Sequence, residues 1–165
     1  MKPQRLVLKI GTNVLQRPNG KLDYNQISEF TQLVAEIRSQ KHEVLIISSG
    51  AVGAGRELYR FDSADNPLIQ KQILASVGQA RLMQIYTDFL REHHLTIAQV
   101  LLTRMDFGNR ASYLNIRNTL THLLEAGIVP IINENDVVAT EELTLNFGDN
   151  DWLAVYVAGL VDANR

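Results

Sequence analysis

The chain contains no cysteine in its 165 residues. That excludes a disulfide framework and thiolate chemistry, and it fits a reducing compartment. An excess of charge of either sign is also missing. Sixteen Lys and Arg against 18 Asp and Glu leave a net charge of −2, and no local basic cluster supplies the footprint of a nucleic-acid binder. No stretch approaches the roughly 20 apolar residues of a membrane span. The apolar run in MKPQRLVLKIG is too short for a secretory core segment, and no Asn-x-Ser/Thr sequon occurs. These absences lead us to expect a cytoplasmic, soluble domain with no nucleic-acid or membrane partner through this chain. The composition is that of an ordinary globular protein, 45% hydrophobic and 21% charged, at a length that suits one domain able to build a core without staples.

Short apolar runs alternate with segments of helical period. Residues 5–10 (RLVLKI), 43–48 (EVLIIS), 96–102 (TIAQVLL) and 128–132 (IVPII) read as strands. The second is continuous enough for burial on both faces, whereas Pro130 argues against regular pairing of the fourth. Asp23 with Gln26 resembles a capping box, ahead of Ile27, Phe30, Leu33, Val34 and Ile37 at helical spacing. A short helix is predicted near 56–59, and Pro67 suits the first turn of a long helix to about Glu92. Another helix spans 110–126 with Leu114, Leu120, Leu123 and Leu124 apolar, and Gly127 stops it. A small hairpin fits within 134–151, followed by an apolar helix carrying Trp152, Val155, Tyr156 and Leu160. Strict alternation of strand and helix argues for an α/β layered sandwich with a mostly parallel central sheet.

In such sheets ligands bind beyond the carboxyl ends of the strands. Those ends carry Lys9, Gly11, Thr12 and Asn13; Ser48, Ser49, Gly50 and Ala51; Thr103 and Arg104; and Asn133, Glu134, Asn135 and Asp136. Gly148, Asp149, Asn150 and Asp151 follow in a later loop. Lys9 ends a strand-like run, so either its ammonium reaches water or an anion meets it, because a buried unpaired charge is costly. SSGAVGAG is neither the dinucleotide fingerprint nor a Walker A loop, since Arg56 stands where the latter needs Lys. Its glycines suit either backbone approach to an anion or a tight turn with close helix packing. The Asn/Asp clusters suit either turns and helix caps or an amino acid, whose two charges need a lining of carboxylates and amides together. His93-His94 diverge at a helix end, and neither a serine nucleophile elbow nor an H-E-x-x-H motif occurs.

LVLKIGTNVL, IISSGAVGAGRE, KQILASVGQARL, QVLLTR, YLNIRNTL, GIVPIINENDVVAT and FGDNDWLA, in this order, resemble the amino-acid kinase family over nearly the whole chain. SSGAVGAG with NENDVV and FGDND is similar to the branch that phosphorylates the side-chain carboxylate of L-glutamate in the first step of proline synthesis. The resemblance implies ATP as donor, Mg²⁺ bridging its phosphates with no metal held by the protein, and proline as feedback inhibitor. It implies that Lys9 holds the phosphoryl group, with Gly11, Thr12, Gly50 and Ala51 on the phosphate path. Ser49, Asn133, Asp136, Asp149 and Asn150 are expected to line the glutamate site, and Asp151 to orient the catalytic lysines. Family members continue for roughly another hundred residues, which carry the adenine site and a second lysine, and many end in an RNA-modification-type (PUA) domain. Residues 1–165 are therefore expected to be a truncated, amino-acid-binding N-terminal part. Little activity of its own is expected, together with an uncovered sheet edge or apolar face that favours homo-oligomers. A kinase with another acceptor and a catalytically silent amino-acid sensor are the rival readings, and a dinucleotide-binding fragment is disfavoured by the glycine spacing.

Overall fold

The computed structural model describes residues 2–61, 66–138 and 150–165. Four parallel strands, β1 (Arg5–Ile10), β2 (Glu43–Ser48), β3 (Ile97–Leu102) and β4 (Val129–Glu134), form one sheet in the order β1-β2-β4-β3. Around it run α1 (Thr12–Leu15), α2 (Tyr24–Ser39), α3 (Ala51–Leu58), α4 (Pro67–Arg91), α5 (Arg104–Gly108), α6 (Arg110–Glu125) and α7 (Asp151–Leu160). The strand period of two divides the core between the faces of the sheet. Val44, Ile46, Val129 and Ile131 pack with α2 and α4, while Leu45, Ile47 and Ile132 pack with α6 and α7. The expected α/β layered sandwich with a parallel sheet is what the chain forms.

Several elements differ from expectation for identifiable reasons. β4 is not demoted by Pro130 but lies inside the sheet, buried throughout. Its ladder with β3 runs the full strand, and Pro130 sits opposite Ala98. Val129 N–H donates to Thr96 on the β3 side, so the donor that proline lacks falls on the β2 side. There the ladder is short, joining Ile46 to Ile131 and Ile47 to Ile132. Asp23 caps α2 by accepting from Asn25 N–H and Gln26 N–H, but the Gln26 side chain turns to Glu29, so the box is half made. A complete box forms instead at Thr103 and Asp106, on the unforeseen α5.

The short helix expected near 56–59 begins directly at Ala51, because Gly50 enters the left-handed region at φ 104° and turns the chain into α3 at once. Gly55 and Gly78 let α3 and α4 cross in backbone contact: a Cβ on Gly78 would meet the Ala51 carbonyl, and one on Gly55 the Leu74 carbonyl. Pro67 in the first turn of α4 and Gly127 after α6, at φ 76°, are as expected, and Asn66 caps α4 by accepting from Leu68 N–H. Leu33 and Leu114 face solvent. On α7 the buried stripe is Leu153, Val157 and Leu160, leaving Val155 and Tyr156 exposed. The expected hairpin falls largely on 139–149, outside the described residues. Asn164 N–H donates to the Arg5 carbonyl, and Val7 N–H donates to that of Arg165, so the last residues lie along the outer edge of β1.

Candidate functional site

All four strands run the same way, so their carboxyl ends meet on one side of the sheet. A cleft of about 370 Å³ opens there. Its walls come from the two ends of α1 (Thr12, Gln16), the β2–α3 junction (Ser49, Gly50, Ala51), α3 and α4 (Arg56, Gln70, Lys71), the end of β4 and the turn after it (Asn133, Glu134, Asp136) and Asn150. Cations and carboxylates thus face one space, with amides and hydroxyls between them.

The centre of this wall is a set of buried side chains with fixed roles. Asn150, 3% exposed, stands at the N-terminus of α7 but does not cap it. Its Nδ2 instead donates to the Ser48 carbonyl at 2.9 Å, to Ser49 Oγ at 3.0 Å and to Asn133 Oδ1 at 3.0 Å. Asn133 Oδ1 also accepts from Glu134 N–H, and Asn133 Nδ2 donates to Gln79 Oε1 at 2.9 Å. Behind Ser49, Ser48 Oγ lies 2.8 Å from the Tyr86 hydroxyl and donates to the Ser49 carbonyl. Complete burial pushes the Tyr86 phenol well above its ordinary pKa, against the pull of its bond to Ser48. A neutral phenol is therefore a permanent part of the scaffold under Ser49.

Lys9 resolves the question its position raised. It is the exposed residue of β1, and its Nζ lies 2.8 Å from Asp151 Oδ1. With the two side chains 34% and 53% exposed, such a pair contributes about 1 kcal/mol or less. It cannot be explained as a stabilising device, and it leaves the ammonium ready to exchange its carboxylate for another anion. The pair stands beside the cleft: Lys9 Nζ abuts Gly11, the neighbour of Thr12, and Asp151 follows Asn150. Of the glycines in SSGAVGAG, Gly53 packs against the Gln16 side chain and Gly55 against α4, so both serve packing. Gly50 and Ala51 alone of the phosphate-path candidates in this motif line the cleft.

The structure therefore gathers Thr12, Ser49, Gly50, Ala51, Asn133, Asp136 and Asn150 in one cleft, with Lys9, Gly11 and Asp151 at its side. Asp149 lies outside the described residues. Arg56, Lys71 and Gln79 escaped sequence reasoning. Their only signal is place: Arg56 follows the glycine run, Lys71 is one turn past the Asn66 cap, and Gln79 adjoins the Gly78 crossing.

Comparison with known proteins gives the following. The amino acid kinase family matches residues 4–165. Glutamate 5-kinase 1 of Bacillus licheniformis is 45% identical over 165 residues, all of this chain and 45% of its own length. Glutamate 5-kinase of Acaryochloris marina is 48% identical over 164 residues, 98% of this chain and 43% of its own length. The chain thus spans less than half of these curated relatives. A UMP kinase from Bacillus anthracis shares the fold, with a TM-score of 0.59 at 13% identity, over 99% of this chain and 63% of its own.

Proposed function

This chain belongs to the amino acid kinase family, and on that premise we propose that it forms the amino-acid half of a glutamate 5-kinase. The whole protein would move the γ-phosphoryl group of ATP to the side-chain carboxylate of L-glutamate, in the first step of proline synthesis. The observation that carries this reading is the two-signed lining of the cleft, to which Arg56 and Lys71 contribute cations and Glu134 and Asp136 carboxylates. An amino acid with a second carboxylate presents one positive and two negative groups, and a lining of one sign would reject part of it.

The roles divide by chemistry. Asp136 and the Asn150 carbonyl oxygen accept from the α-ammonium, while Ser49 and Asn133 bind its neighbouring polar groups. Asp149 completes this set by the resemblance. Lys9 leaves Asp151 for a phosphoryl oxygen as charge spreads there in the transition state, and Asp151 holds it in place between turnovers. The Gly11–Thr12 turn and the N–H groups at Gly50 and Ala51 face the phosphates, at the positive end of α3. ATP supplies the transferable group, with Mg²⁺ on its phosphates. Among the described residues no cluster of three or more His, Asp or Glu could hold a metal ion. The nucleoside is held by chain these residues do not include, proline inhibits at or beside the glutamate seat, and copies of the protein associate, in a cytoplasmic setting.

The test is binding of L-glutamate to this chain by calorimetry, with D-glutamate, L-aspartate and L-glutamine as competitors. Selective binding of L-glutamate is expected. Equal binding of all four, or of none, would overturn the reading. Capture of glutamyl phosphate as its hydroxamate, using the protein with its nucleotide half, then tests the transfer itself.

A further inference from the structure

Three carboxamides run in a line from the cleft into the core, and the backbone dictates which way each one faces. The Ser48 carbonyl can only accept, so the Asn150 atom facing it at 2.9 Å is Nδ2. Glu134 N–H can only donate, so the Asn133 atom facing it at 2.9 Å is Oδ1. Asn133 Oδ1 therefore receives Asn150 Nδ2, and Asn133 Nδ2 must find an acceptor on its other side. Gln79 Oε1, from α4, is that acceptor at 2.9 Å. Two atoms are left over at the ends of the line. Asn150 Oδ1 and Gln79 Nε2 are both buried and have no hydrogen-bond partner among the described residues. Asn150 lines the substrate cleft, whereas Gln79 lines an adjoining cavity of about 310 Å³, beside Ser76 and Gln99, that shares Glu134 and Asp136 with the cleft.

We propose that Gln79 is a positioning residue for the amino-acid seat, acting through Asn133 to hold the Asn150 carboxamide with its oxygen available to a ligand donor. The proposal rests on the glutamate reading above. Without the Gln79 acceptor, Asn133 Nδ2 becomes a buried donor with nothing to meet. Flipping the Asn133 amide gives no escape, because it sets Nδ2 against Glu134 N–H and Asn150 Nδ2, donor against donor. Asn150 then loses one of its three anchors, and the acceptor it offers to a substrate ammonium loses its fixed direction. Gln79 itself touches no ligand, so its contribution lies in the acceptor oxygen and not in the Nε2 donor.

Gln79→Met and Gln79→Glu separate these features. Methionine keeps the length and removes the acceptor. Glutamate keeps an acceptor, charged or protonated, and removes the donor. In the Met variant the side-chain NH₂ signals of Asn133 and Asn150 in ¹⁵N NMR should lose their protection from exchange, while backbone amides of β2 and β4 keep theirs. Its affinity for L-glutamate should fall about tenfold. The Glu variant should retain the NH₂ protection and bind within about twofold of the parent, a difference far below one lost hydrogen bond. Parent-like NH₂ protection and affinity in the Met variant would overturn the proposal alone. A Glu variant as impaired as the Met variant would do the same, by assigning the effect to Nε2 or to packing. Failure of the parent chain to bind L-glutamate would overturn the functional reading, and this proposal with it.

Discussion

At the scale of single residues, Lys9 and Tyr86 are both titratable and adjoin the same site, yet their roles are opposite. The Lys9–Asp151 pair is half exposed, so Lys9→Met should change stability by about 1 kcal/mol or less in a denaturant melt. In the protein with its nucleotide half, the same substitution should cut hydroxamate-trapped glutamyl phosphate by about 10²- to 10³-fold, with glutamate affinity little altered. Tyr86 is fully buried against Ser48, and its pKa is raised above 10.0 by burial. The unfolded phenol loses its proton near pH 10 while the folded one keeps it, so the unfolded state binds fewer protons there and stability falls as pH rises. Tyr86 thus contributes fully below about pH 10, and its contribution is lost above that. Tyr86→Phe should cost about 1 kcal/mol at neutral pH and make the alkaline decline shallower in chemical melts across that range. It should not abolish the decline, because burial and the Glu57 carboxylate also raise the Tyr24 phenol.

At the scale of elements, the α3–α4 crossing governs the shape of the cleft, since α3 carries Ala51 and Arg56 and α4 carries Lys71. The helices touch backbone to backbone at Gly55 and Gly78, where an added methyl meets a carbonyl and not a flexible side chain. Gly55→Ala and Gly78→Ala should each destabilise the chain by about 3 kcal/mol, read as a drop in the midpoint of thermal or denaturant unfolding. Gly159, within α7, has nothing within 4 Å of a Cβ position. Gly159→Ala should stabilise by about 0.5 kcal/mol through the unfolded chain, which makes it the internal control. The same contacts explain why α3 was read too short. Two glycines in eight residues oppose a helix on propensity alone, but a neighbouring helix that needs their missing side chains reverses the balance. Leu33, Leu114 and Val155 misled in the other direction, because apolar residues remain common on protein surfaces and a period identifies a stripe only when one face is clearly polar. α7 is apolar nearly all round, so only the sheet beneath it selects Leu153, Val157 and Leu160.

At the scale of the whole molecule, the chain should behave as a folded domain that recognises an amino acid without completing a reaction. Mixed with ATP, Mg²⁺ and L-glutamate, the 165-residue chain should show glutamate binding but hydroxamate formation at background. Turnover by this chain alone would contradict its assignment as half of a site. Alternation of strand and helix and the polar residues at strand ends were enough to specify a parallel α/β sandwich and the side of it on which the cleft opens. Backbone periodicity is a local property, and the sheet rule converts it into a location. Three-dimensional packing alone decided that Asn150 spends its amide on Ser48, Ser49 and Asn133 instead of capping α7. It alone decided that Arg56, Lys71 and Gln79 adjoin the site, and it gave the Lys9–Asp151 contact that the resemblance implied its geometry. Each of these depends on direction and distance between segments far apart in the chain, and hydrogen bonds and ion pairs are too short-ranged for sequence spacing to encode them.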